Sequence, residues 1–144
     1  MDDAGTYALV IFSRERLDLQ IGRLGTYEFP PGFYIYVGSA LRGLNSRLKR
    51  HLSSEKLLYW HIDYLLLHAR IIQIWYSLSN HRLECTWNTI VAGLSGATPI
   101  IPGFGSSDCG CQTHLTRFLT TPSIHSFKRE LKNRGLPQLH RLII

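Results

Sequence analysis

Cysteine is scarce in this 144-residue chain, which has only Cys85, Cys109 and Cys111. So small and odd a number makes no disulfide framework and reads as reduced thiols. Long apolar runs are also missing. Leu65, Leu66 and Leu67 are separated from Ile71 and Ile72 by His68 and Arg70, so no stretch approaches a membrane span. Asp2 and Asp3 stand where a secretory leader would carry a basic segment, which leads us to expect a cytoplasmic protein with no membrane partner. We find no internal repeat and no low-complexity tract. Acidic residues are few: ten Asp and Glu face sixteen Lys and Arg, for a net charge of +6. That balance suits a nucleic-acid partner, and equally a soluble protein that happens to be basic. With 44% hydrophobic and 18% charged residues the composition is globular, and the length fits one domain with a real core.

What is present is organised around residues 33–52. Phe33, Tyr34, Ile35, Tyr36 and Val37 form a strand signal that Gly38 and Ser39 break. Residues 40–52 then carry a helical pattern with Leu44, Leu48 and Leu52 on one stripe. Arg47 and His51 lie four apart along its edge, with Arg50 one turn from Arg47, which gives the helix a cationic shoulder suited to a phosphodiester. Upstream, residues 5–12 alternate Tyr7, Leu9 and Ile11 against Thr6, Ala8 and Val10 as a strand, and residues 18–24 suggest a second, more exposed one. Pro30 and Pro31 make residues 25–32 a connection. Downstream, Ser53 and Ser54 offer an N-cap ahead of an apolar helix over 57–68, and residues 70–78 return to strand character. A helix over 83–94, capped from Ser79 and Asn80, has Leu83, Trp87, Ile90 and Leu94 as its core stripe. Residues 96–110 read as irregular loop, and residues 123–133 as a lysine-rich amphipathic helix. The terminal LHRLII fits an edge strand or a packed tail. The order predicts an α+β domain over residues 1–144, with a mainly antiparallel sheet of three or more strands flanked by helices, a core over about 5–119 and an extension at 120–144.

Cutting a phosphodiester needs a water, a group to take its proton, and positive charge on the developing phosphorane. A metal held by a carboxylate commonly supplies that charge. Of the acidic residues only Asp63, Glu84 and Asp108 lie among apolar or special neighbours. Glu84 is the best placed, in the first turn of an otherwise uncharged helix, a position the helix dipole favours for any acid. His61 and Asp63 are two apart and point to different sides of a helix; a satisfied core histidine accounts for His61. Cys85, Cys109, Cys111 and His114 could make a closed zinc site, or serve as small buried thiols in a tight loop. The tight C-x-C spacing favours the thiols.

Gly5-Thr6-Tyr7, Tyr36-Val37-Gly38, a helix bearing Arg47 and His51, and then Glu84 opening a helix together resemble the GIY-YIG nuclease superfamily. The chain is closer still to a branch of it, a domain of unknown function sometimes fused to an endonuclease III-type DNA glycosylase. That likeness rests on YIYVGSA at 34–40, RLKRH at 47–51, WHIDY at 60–64 and PGFGSSDC at 102–109. The resemblance implies a metal-dependent endonuclease that hydrolyses DNA phosphodiester bonds in repair or in processing branched or damaged DNA. DNA, or RNA, and repair proteins would be its partners. Glu84 would bind one Mg²⁺ or Mn²⁺, Tyr7 would act on the attacking water, Tyr36 would line the pocket, and Arg47 would contact the scissile phosphate. His51 takes a place that holds a histidine or tyrosine in relatives. The alternative is a catalytically silent nucleic-acid-binding module on the same scaffold, holding phosphates through Arg42, Arg47, Lys49 and Arg50. A zinc-stabilised interaction domain is a third reading.

Overall fold

A computed structural model describes residues 2–144. Its centre is strand β1 (Gly5–Ser13), flanked on one side by β4 (Gly32–Ala40) and on the other by β5 (Arg70–Leu78), both antiparallel to it. The chain reaches β4 through a separate hairpin, β2 (Leu17–Ile21) and β3 (Gly25–Phe29). Helices α1 (Leu44–Leu52) and α2 (His61–Leu66) lead to β5, and α3 (Glu84–Ala92) follows it. A short β6 (Thr98–Pro99), β7 (Leu115–Phe118), α4 (Ile124–Asn133) and β8 (His140–Ile143) complete the chain. The main sheet runs β6-β7-β4-β1-β5-β8 and every pairing in it is antiparallel, so the class is α+β.

Alternation along β1 explains why it is central. Tyr7, Leu9 and Ile11 face a core shared with α1, α2 and the hairpin, while Ala8 and Val10 face a second core with Trp75, Trp87 and Phe127. A strand buried on both faces has no solvent side, which suits its unbroken run of apolar residues. No helix among the described residues is long and apolar enough to cross a membrane.

Several expectations are corrected. Residues 25–29 are strand rather than connection, because Tyr27 and Phe29 pair across to Leu19 and Leu17 before Pro30 ends the run. Helix α1 starts at Leu44, four residues late: β4 continues to Ala40, and Gly43 turns the chain with a φ of 148°. The Asp2 carboxylate, not a neighbour in sequence, caps α1 by accepting the Asn45 and Ser46 N–H groups at 2.7 and 2.9 Å. On the buried stripe of α1, His51 takes the place expected of Leu52, which is exposed. Helix α2 is half the expected length, and Ser53 and Ser54 do not cap it. Instead Asp63 accepts the Tyr59 and Trp60 N–H groups at 2.9 Å, holding residues 59–60 extended. Nor do Ser79 and Asn80 cap α3; Leu83 occupies that place without a side-chain bond. The C-terminal extension is integral, since Phe127 is fully buried and β8 forms the sheet edge beside β5.

Candidate functional site

The end of the sheet where β1 begins and β4 finishes opens into a cleft of about 210 Å³. Its floor is made by two tyrosines on adjacent strands. Tyr7 lies opposite Gly38 and Tyr36 opposite Leu9, so the two phenols are diagonal neighbours on one face. Gly38 is required by that approach: a Cβ there would fall 2.6 Å from Tyr7 Oη. Gly105, at φ 66°, closes over the other ring, where a Cβ would lie 2.7 Å from Tyr36 Cε1. Neither glycine has room for a side chain.

Helix α1 brings Arg47 and His51 to this floor. Arg47 Nη1 donates to the Ser39 carbonyl at 3.1 Å, and its guanidinium lies 4.5 Å from the centre of the Trp60 ring. Both contacts fix the fork, and the guanidinium borders the cleft. His51 is buried rather than part of a cationic shoulder, with Nε2 2.7 Å from Tyr7 Oη. The rings of Tyr7, Tyr36 and Trp60 surround it, and Nδ1 has no hydrogen-bond partner among the described residues. Burial, with the charge of Lys56 second, holds the imidazole down at about 3, so it is neutral at pH 7. Burial likewise pushes the Tyr7 phenol up to about 12 against the opposing charge of Arg47, and carries Tyr36 well above its ordinary value.

The neutral histidine has a consequence for stability. Its folded value is depressed from 6.5, so the contribution is present above pH 6.5 and is lost as pH falls toward 3. Urea unfolding of the wild type at pH 7, 6 and 5 should lose up to about 1.4 kcal/mol per pH unit from this group, and the slope should flatten in His51→Gln. An equally steep wild type and variant would assign the acid sensitivity elsewhere.

Glu84 enters the cleft from the first turn of α3, with Oε1 3.3 Å from Arg82 Nη1. Asp108 supplies a second carboxylate on the opposite loop, beside Gly105 and Cys109. Tyr7, Tyr36, Arg47 and Glu84 therefore line one space, with His51 beneath it. Arg42, in the turn before α1, and Lys49, on α1, lie exposed outside it. Arg50 is engaged elsewhere: it holds Asp63 through two bonds of 2.9 Å and also stacks 4.3 Å from the Trp60 centroid. Burial would raise the Asp63 carboxyl, but the Arg50 fork and the two backbone N–H groups overcome it and hold the group below its usual range. Asp63 thus organises the turn that presents Trp60. His61 is satisfied too, its Nδ1 accepting the Gly105 N–H at 2.9 Å.

Sequence reasoning passed over Trp60 and Arg82 as site residues. Trp60 carried a signal, since it opens the WHIDY stretch at 60–64; Arg82 carried only its nearness to Glu84.

Behind the loop lies a second cluster. One ligand atom each from Cys85, Cys109, Cys111 and His114 lies within 4.8 Å of the others, a set able to hold a metal ion. His114 Nε2 is 3.1 Å from Cys109 Sγ while Nδ1 sits 3.1 Å from the Val37 carbonyl, which orients the ring. Burial, then the neighbouring Cys111 and Cys109 thiols, pushes the Cys85 thiol up to about 12. Deprotonating three sulfurs this close would be costly unless a cation shared them. Helix α3 delivers Cys85 to the other two, the grouping that the zinc alternative requires.

A family model described as Domain of unknown function DUF123 matches residues 6–135 of the chain. No curated protein and no solved structure matches it.

Proposed function

For a chain that belongs to the DUF123 family, and takes no activity from that membership, we propose a metal-dependent endonuclease of the GIY-YIG kind, hydrolysing DNA phosphodiester bonds. One observation carries the reading: two phenols, a guanidinium and a carboxylate from β1, β4, α1 and α3 line a single cleft.

Arg47, held by the Ser39 carbonyl and Trp60, offers a fixed fork to a phosphate oxygen. Tyr7 is a poor base by itself, since burial favours its protonated form. With the His51 proton on Nδ1, Nε2 accepts from Tyr7, so Tyr7 can take a proton from water as it passes its own to His51. Burial disfavours the imidazolium, and the negative charge of an entering phosphate would offset part of that cost. Tyr36 closes the apolar side and keeps the relay from bulk water. Glu84 and Asp108 give hard oxygen donors beside open space, which fits a Mg²⁺ or Mn²⁺ that keeps several waters. Bound there, the ion would add positive charge at the phosphoryl oxygens.

We assign the Cys85, Cys109, Cys111 and His114 cluster to structural zinc. Three thiolates and an imidazole are soft donors in a closed set of four, unsuited to Mg²⁺.

Purified protein incubated with supercoiled plasmid should nick it in Mg²⁺ or Mn²⁺ and not in EDTA. Retention of intact plasmid in salt-sensitive complexes, without nicking in either metal, would instead support the silent binding module.

A further inference from the structure

Beside the cleft runs a groove of about 350 Å³, sharing Tyr36, Trp60, Gly105 and Asp108 with it. Aromatic and imidazole rings from Tyr59, Trp60 and His61 form one wall. The exposed side chains of Ser107 and Asp108 face them from the loop. Tyr59 is the unusual member. It is 79% exposed although it follows two leucines and touches Trp60 edge-on, and its backbone is fixed by Asp63. A large ring thus stands in the open on a backbone anchored by Asp63, next to a guanidinium-covered tryptophan.

We infer that this groove is a nucleobase subsite: Tyr59 stacks on an unpaired base whose phosphate lies toward Arg47, while Ser107 and Asp108 meet the base edge. The inference rests on the nuclease reading of the cleft and narrows its substrate to DNA with an unpaired nucleotide next to the scissile bond, such as a single strand, a flap or a melted segment of a supercoiled plasmid. The reason is geometric. Inside a duplex a base shows only its edges, whereas an exposed ring face can be used only by a base that has left the stack. The alternating order of ring wall and polar wall also matches a base, which is flat and apolar on its faces and polar around its rim. Arg47, on the cleft side of Trp60, places a cation at the backbone flanking such a base.

The test is affinity in EDTA, where no cleavage intervenes, read by anisotropy of labelled oligonucleotides. A single strand, and a blunt duplex of the same sequence, are titrated with the wild-type chain, Tyr59→Ala and Tyr59→Phe. Tyr59→Ala should weaken the single strand about tenfold and the duplex less than twofold, with Tyr59→Phe restoring the single-strand affinity. Equal losses on both DNAs, or no loss on either, would overturn the subsite; in the latter case the exposed face at Leu57 and Tyr59 would be left to a protein partner. The selective loss without metal-dependent nicking by the wild type would keep the subsite and remove the nuclease. Nicking with unchanged single-strand affinity in Tyr59→Ala would do the reverse.

Discussion

Arg47→Ala should slow plasmid nicking by at least about a hundredfold, the range lost when a preorganised partner of the transition-state charge is removed. The expectation follows from how the side chain is held. Its guanidinium is pinned between the Ser39 carbonyl and the Trp60 ring and borders the cleft, so its position costs little reorganisation when phosphate enters. Arg47→Lys keeps the charge but not the planar fork, and should recover only part of the rate. Because Arg47 is only partly buried and Leu48 and His51 carry the packing of α1, both variants should unfold close to the wild type in thermal melts. A rate unchanged in Arg47→Ala would take the phosphate away from this cleft.

The second large effect concerns stability. Stripping metal from the native chain, with a strong chelator after thiol release by a mercurial, should cost most of the fold around residues 102–114. Structural zinc bound by four such ligands contributes on the order of 10 kcal/mol. That loop supplies Gly105 and Asp108 to the cleft and Gly105 N–H to His61, so any nicking should vanish with the metal even when Mg²⁺ is abundant. Elemental analysis of the untreated protein should give one zinc per chain, reduced in Cys109→Ser and Cys111→Ser together with the melting temperature. A metal-free preparation that melts at the same temperature as a zinc-loaded one would return the cluster to the role of three packed thiols.

The fold was legible in the sequence where local pattern and burial agree. The alternation of Tyr7, Leu9 and Ile11 along β1 and the aromatic run of β4 mark the two strands that meet at the cleft. Pattern failed where composition and burial part ways. Leu57 and Tyr59 read as helix core, yet they are 90% and 79% exposed, because Asp63 gathers the backbone at 59 and 60 and forbids the earlier turns. His51 read as a surface cation because nothing near it in sequence announces Tyr7, which lies 44 positions away. The juxtaposition of Cys85 with Cys109 and Cys111 could be offered from the sequence only as one alternative, for the same reason: the order of strands in the sheet decides it, and periodicity carries no record of that order.

The most direct trial of the account is a time course of supercoiled-plasmid nicking in Mn²⁺ by the wild type and Glu84→Ala, purified side by side. Glu84 is partly buried at a helix start and, among the described residues, pairs only with an exposed arginine, so its removal should leave the fold standing. The wild type should nick the plasmid, and the variant should do so at least about a thousandfold more slowly. Equal rates for the two proteins would contradict it.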